Sequence, residues 1–199
     1  RLFLDGVVDL RRTVAVAGSQ VKSPSYMDVL VGTPISTILK DNVIEGNNRI
    51  INGNPLTGTP VTDDATAYIG AHTSEVTVIP GGDDADEFVG WIMPRVSQFS
   101  VSRSYFSWLL GKRAYTIDAR VKGGERHMIM SGEYDKVLPM DILPEYLIKA
   151  IITNDIDKME QLGIYEVAPE DFALAEFVCS SKLELQKIVR EGIDLMLNA

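Results

Sequence analysis

Val29-Leu30-Val31-Gly32-Thr33-Pro34-Ile35-Ser36-Thr37-Ile38-Leu39 is where the hydrophobic period of this chain switches, and its reading decides the fold. Val29 to Val31 form a compact apolar strand that Gly32 ends. Thr33 is predicted as a helix N-cap, with Pro34 at the first helical position, where its missing N–H costs nothing. Ile35, Ile38 and Leu39 then supply the i, i+3, i+4 stripe of a short helix. Upstream, Thr13-Val14-Ala15-Val16-Ala17 is a second apolar strand stopped by Gly18. Downstream, Arg49-Ile50-Ile51 runs as a strand into the turn-rich Asn52-Gly53-Asn54-Pro55. Glu75-Val76-Thr77-Val78-Ile79 alternates with period two and stops at Pro80-Gly81-Gly82, and Phe88 to Ile92 can supply one more strand. Several strands around one short helix predict a small α+β unit over residues 11–92.

From Leu143 the pattern is helical. Pro144 opens a run through Leu147, Ile148 and Ile151. Asn154 is predicted to cap a second helix, with Ile156, Met159 and Leu162 on one face and Gly163 as its stop. Pro169 opens a third, with Glu170 and Asp171 in the first turn, where carboxylates suit the helix dipole. Ser181-Lys182-Leu183-Glu184 fits a capping box ahead of a broad stripe from Leu185 to Leu197. These four segments predict a helical bundle over residues 143–199. Residues 93–142 fit neither pattern. There Phe99, Val101, Tyr105-Phe106 and Trp108-Leu109-Leu110 are interleaved with cations, which predicts a basic and aromatic connector packed across both units.

With 45% hydrophobic and 24% charged residues, the 199-residue chain can bury a core and stands apart from disordered sequences. No stretch reaches the roughly 20 largely apolar residues that a membrane span needs. A single cysteine, Cys179, excludes an internal disulfide and fits a reducing compartment. The net charge of −9 argues against a nucleic-acid partner. That charge is uneven: residues 95–126 carry seven basic and two acidic side chains, whereas both flanking regions are strongly acidic. A cationic island in an acidic chain demands an explanation.

Motifs of catalysis are scarce. The glycines at Gly53, Gly58, Gly81-Gly82 and Gly123-Gly124 lack the lysine of a phosphate loop and do not join a strand to a helix, so they read as turns. His72 and His127 show no short-spaced ligand partner. His127, among Met128, Ile129 and Met130, reads as a core or interface histidine, and Cys179 as a buried small hydrophobe. The acidic pairs Asp63-Asp64 and Asp83-Asp84, the latter with Asp86-Glu87, lack the spacing of a calcium loop and read as solvated turns.

Two sets of residues carry a resemblance. Val14 to Leu39, with Gly18, Val21-Lys22-Ser23-Pro24 and Val31-Gly32-Thr33, resembles the soluble-ligand-binding β-grasp (SLBB) fold. Such modules also occur in the flavin subunit of respiratory complex I, in Rnf electron-transport complexes and in polysaccharide exporters. Phe88-Val89-Gly90-Trp91, Phe99-Ser100-Val101-Ser102-Arg103, Gly123-Gly124-Glu125-Arg126, Tyr134 to Pro144, Glu170 to Leu174 and Phe177-Val178-Cys179 look, in that order, like the C-terminal part of the NqrA component of sodium-translocating NADH:quinone oxidoreductases. The resemblance implies a peripheral component at the cytoplasmic face of the bacterial inner membrane. Its partners would be the other, especially membrane-embedded, subunits, with ubiquinone close by. It also implies that residues 1–10, which begin at Arg1 rather than methionine, are the tail of a preceding domain. NADH, flavin and iron–sulfur sites are then expected on other subunits and no cofactor in this chain, because one cysteine does not support a [4Fe–4S] cluster.

The expected role is docking and structural, with an influence on quinone access. The expected interface is Arg95, Arg103, Lys112, Arg113 and Arg126, since interfaces favour Arg and aromatic anchors. No catalytic, cofactor-binding or metal-ligating residue is expected. The alternative is a free-standing module that binds a small soluble ligand through its β-grasp face.

Overall fold

The computed structural model describes residues 2–62, 67–83, 95–100, 103 and 105–198. The chain divides into two compact units, Arg1–Arg120 and Val121–Ala199.

In the first unit a short helix α1 (Leu2–Asp5) precedes strands β1 (Arg11–Ala17) and β2 (Ser25–Leu30), helix α2 (Ile35–Ile38), and strands β3 (Asn48–Asn52), β4 (Thr59–Pro60) and β5 (Glu75–Pro80). They form a mixed sheet in the order β2-β1-β5-β3-β4. β1 pairs antiparallel with β2 and parallel with β5, while β3 lies antiparallel between β5 and β4. Period-two alternation sends Val14 and Val16 of β1, and Val76 and Val78 of β5, to one face. There they meet Val21, Ile35, Ile38, Leu39 and Ile69 in a closed core. β4, at one edge, ends in Pro60, which has no N–H to offer a further strand.

Gly18 makes the turn after β1 possible. Its φ is +118°, and a Cβ there would lie 2.0 Å from the carbonyl oxygen of Val78. That oxygen accepts from the Gln20 N–H at 3.2 Å.

The start of α2 differs from the sequence expectation by one residue. Pro34 holds the N-cap position with extended backbone (ψ 133°), and the helix begins at Ile35. The cause is a pairing with a distant segment. The Thr33 carbonyl accepts from Ile69 N–H at 2.9 Å, and Ile35 N–H donates to the Ala67 carbonyl at 2.8 Å. These bonds hold residues 33–34 extended, so Thr33 makes no cap. The strand expected over Phe88–Ile92 lies outside the described residues.

In the second unit α3 (Pro144–Ile152) packs against α4 (Ile156–Gln161) and α6 (Leu185–Asn198), with α5 (Ala173–Val178) also against α6. Leu147, Ile148 and Ile151 of α3, Met159, Phe172, Leu185 and Val189 close the core. Gly192 of α6 lets that helix approach Ile151, whose Cγ2 would lie 2.9 Å from an added Cβ. The segment before α3 is pinned by a buried carboxylate. Glu145 Oε1 accepts from Ser131 N–H (2.9 Å), the Ser131 hydroxyl (3.0 Å) and Gly132 N–H (2.7 Å). Three donors on one oxygen offset the cost of burying that charge.

Two caps differ from the sequence expectation. Asn154, with φ 54°, ends α3 instead of opening α4. Its N–H donates to Ile151 O and that of Asp155 to Ala150 O, both at 3.0 Å, a Schellman closure. Asp155 is the cap of α4, its carboxylate accepting from Lys158 N–H. Likewise Ser181 forms no capping box. Its hydroxyl donates to the His127 carbonyl at 3.0 Å and its own carbonyl accepts from Arg126 N–H, so it tethers residues 126–127 while α6 starts at Leu185. Gly163, at φ 88°, does follow the end of α4. Pro169 opens a 3-10 turn to Phe172 that leads into α5, with Asp171 accepting from Ala168 N–H at 2.8 Å.

Candidate functional site

The arginines of residues 95–115 are organised by aromatic rings. The Arg95 guanidinium lies 5.3 Å from the centroid of Tyr105, that of Arg103 5.9 Å from Trp108, and that of Arg113 5.4 Å from Tyr115. All three distances fall within the range of cation–π attraction. Tyr115 also meets Phe99 edge to face at 5.7 Å. Arg113 Nη1 donates to the Val96 carbonyl at 3.1 Å, and Arg95 Nη1 to Gln98 Oε1 at 3.2 Å. Among the described residues, these ring contacts and hydrogen bonds, with a further bond from Gln98 N–H to the Arg95 carbonyl, fold the segment on itself with little regular secondary structure.

Among the described residues no carboxylate lies within ion-pair distance of Arg103, Lys112 or Arg113, and all three are exposed. Arg120 behaves differently. Its Nη2 pairs with Asp118 Oδ2 at 2.8 Å, both side chains largely buried, and Ala119 N–H donates to the Pro80 carbonyl at the end of β5. Of the expected interface residues, Arg95, Arg103, Lys112 and Arg113 therefore share the first unit. Arg126 belongs to the second, an exposed side chain on backbone bonded to Ser181.

Sequence reasoning missed the exposure of the apolar residues beside these cations. Phe106–Leu110 form a 3-10 turn in which Ser107 is buried while Phe106, Trp108, Leu109 and Leu110 are 55, 49, 62 and 57% exposed. The sequence reading expects them to pack. A signal is present in sequence nonetheless: the apolar run is followed at once by Gly111-Lys112-Arg113, a cationic ending that a core element rarely carries.

His72 is exposed, and with Asn52, Gly53, Thr57, Gly70 and Thr73 it lines a shallow concavity of about 410 Å3 between two turns. One turn is shaped by Asn54, whose Oδ1 accepts from both Leu56 and Thr57 N–H at 2.8 Å. His127 is also exposed, so the core reading of its side chain is corrected; its carbonyl, not its ring, is engaged. Asp83 accepts from Asn47 Nδ2 at 3.1 Å, and Asp63-Asp64, Asp84, Asp86 and Glu87 lie outside the described residues. Among the described residues no three His, Cys, Asp or Glu side chains converge as a metal site would require.

Cys179 is fully buried, its Sγ 3.0 Å from the hydroxyl of Tyr134. Burial first, then this hydrogen bond, pushes the Tyr134 phenol well above its ordinary range. Among the described residues no helix is long and apolar enough to cross a membrane.

Part of this sheet matches a family of known description: residues 13–63, from within β1 to just past β4, fit the model of the NQRA C-terminal domain, an SLBB module. Along nearly its whole length the chain is also similar to the NqrA components of Na(+)-translocating NADH-quinone reductases. It is 36% identical over 194 residues to that of Haemophilus influenzae (strain PittEE), covering 98% of this chain and 43% of the relative. The identity is 34% to that of Pasteurella multocida (strain Pm70) and 33% to that of Neisseria meningitidis (strain Z2491), over the same share of each chain. The chain is thus similar to the C-terminal part of NqrA along nearly its whole length, and it spans less than half the length of these relatives.

Proposed function

We propose that this chain is a peripheral part of a sodium-translocating NADH:quinone reductase, holding no redox centre of its own and docking NqrA to its membrane partners. In this reading it sits at the cytoplasmic face of the bacterial inner membrane and shapes the access of quinone. NADH, flavins, iron–sulfur clusters and ubiquinone are handled by the rest of the complex. The helical unit serves as a compact bundle that carries the docking segment's C-terminal end, including Arg126. The observation that carries the docking role is the state of Arg103 and Arg113. Their guanidinium groups rest on aromatic rings and are exposed, with no carboxylate partner among the described residues, so their charge is available to a partner.

The test is membrane release. Arg103→Glu with Arg113→Glu should free NqrA from native membranes at lower salt than wild type, because a juxtamembrane cation contributes ~1 kcal/mol and is screened by ions. Both side chains are exposed, so the fold should survive, which circular dichroism checks. An unchanged salt profile sinks the docking role.

The concavity beside His72 favours a second reading, a module for a small soluble ligand. A ligand would raise the thermal midpoint according to RT ln(1 + [L]/Kd). Quinones, cobalamins and nucleotides are the probes, and the docking reading expects no shift with any of them.

A further inference from the structure

We infer that the turn Phe106–Leu110 is a membrane anchor that inserts into an anionic phospholipid surface. The inference rests on the docking reading above and commits it to one occupant, lipid.

The geometry comes first. Ser107 is the side chain turned inward, which leaves Phe106, Trp108, Leu109 and Leu110 facing outward from a single five-residue turn. Gly111, at φ 73° and with nothing within 4 Å of where a Cβ would stand, then turns the chain. Lys112 and Arg113 follow directly behind the apolar tip. Arg103 stands over the ring of Trp108. The tip therefore presents aliphatic side chains, an indole bearing a cation on its face, and two further cations in close succession.

The chemistry matches the layers of a bilayer surface. Aliphatic side chains suit the acyl boundary, indole favours the headgroup level, and Lys and Arg suit the phosphates above it. Charge narrows the choice further. From Arg95 to Ile117 the sequence holds no Asp or Glu, although the chain has 28 of them. A zwitterionic surface would gain only from the apolar tip. An anionic one also gains from Arg103, Lys112 and Arg113, and it repels the acidic remainder, which orients the chain tip-down. An anchor of this size gives reversible binding, as suits a component that also holds protein contacts.

The experiment uses the 199-residue chain with Leu109→Cys carrying an environment-sensitive fluorophore; Cys179 is buried and does not compete for the label. Phosphatidylcholine vesicles with and without phosphatidylglycerol are the probe. Binding to the anionic vesicles with a blue shift of the label, weaker on the neutral ones, is the expected result. Leu109→Glu with Leu110→Glu should abolish sedimentation with vesicles. Arg103→Glu with Lys112→Glu should weaken it on the order of tenfold at low salt, with the difference closing at high salt.

Failure to bind anionic vesicles overturns the inference, as does binding without a change in the label. A blue shift that grows with protein concentration in the absence of lipid assigns the tip to a second copy instead. If the chain is held by native membranes but ignores pure lipid vesicles, the lipid anchor falls while the docking role stands. The label readout on otherwise wild-type chain keeps the test valid even if a charge variant misfolds.

Discussion

Truncating Cys179 to alanine removes a fully buried sulfur and strands the hydroxyl of Tyr134, itself 2% exposed, 3.0 Å away. The lost apolar volume costs about 1 kcal/mol, and an orphaned buried hydroxyl about 1–3 more, so Cys179→Ala should cost roughly 2–4 kcal/mol. Cys179→Ser keeps a hydrogen-bonding partner for Tyr134 and should cost only about 1 kcal/mol. Tyr134→Phe leaves behind a thiol, a weak donor, and should also cost about 1 kcal/mol. The pair Cys179→Ala with Tyr134→Phe should then be milder than the sum of the singles by roughly 1–2 kcal/mol. Urea unfolding followed at 222 nm is the assay, because the longer helices α3 and α6 belong to the second unit. The phenol also predicts a pH dependence. Its proton is held more tightly in the folded chain, by burial first and then by the Cys179 hydrogen bond. Its contribution to stability is thus complete below the ordinary tyrosine range near 10 and is lost as pH climbs above it. Tyr134→Phe should flatten that decline. If Cys179→Ala is no worse than Cys179→Ser and the double variant is additive, the sulfur–phenol contact has no energetic meaning. If instead Cys179→Ser is fully stable yet assembled complex loses electron transfer, the cysteine is a redox group and the packing account is wrong.

Gly18→Ala should destabilise the sheet by more than about 3 kcal/mol, since φ +118° is strained for any side chain and the new Cβ would meet the Val78 carbonyl at 2.0 Å; loss of amide protection in β1 and β5 under hydrogen exchange is the readout, and native-like protection would refute it. Asp155→Ala should lower the melting temperature at pH 7 and lower it progressively less as pH falls below the ordinary carboxylate range, because the hydrogen bonds from the Lys158 side chain and backbone hold the Asp155 carboxyl below that range, so its contribution is present above it and lost as pH falls through the lowered value. An effect that stays constant as pH falls through the acid range would mean that the cap does not act through its charge.

Where the sequence was legible, one local rule sufficed. Period-two alternation in Glu75-Val76-Thr77-Val78-Ile79 marks β5, and the apolar spacing from Pro144 to Ile151 marks α3, because each element buries a single face. The caps were less legible because backbone partners far along the chain decide them. Thr33 loses its cap to Ile69 and Ser181 to residues 126–127, while Asn154 is taken by the closure of the helix before it. Of the candidate site, the cations show in a count of charges. Their ring partners do not, since Arg95 with Tyr105, Arg103 with Trp108 and Arg113 with Tyr115 follow no repeating spacing. The outward face of Phe106–Leu110 was hidden for a related reason: an apolar run reads as core until the burial of Ser107 shows which side faces in.

Two kinds of arginine in one short segment show how the chain can be ordered there and still keep its charge. Arg120 is paired with Asp118 at 2.8 Å, largely buried, beside a backbone bond to the end of β5. Arg103 and Arg113 are ordered by rings instead. A cation on an exposed aromatic face gains ~0.5–1 kcal/mol, enough to favour one orientation, while its net charge stays whole. A carboxylate in the same place would order the side chain as well but cancel the field. The stretch from Arg95 to Ile117 has aromatic residues and no acidic ones, and Arg103 and Arg113 take the first solution. The consequence can be checked by exchange of the partner: Trp108→Glu would keep Arg103 ordered through an ion pair and should still abolish salt-sensitive membrane binding, whereas Trp108→Phe should retain it. If Trp108→Glu binds as wild type does, available charge at Arg103 is not what the segment was built to preserve.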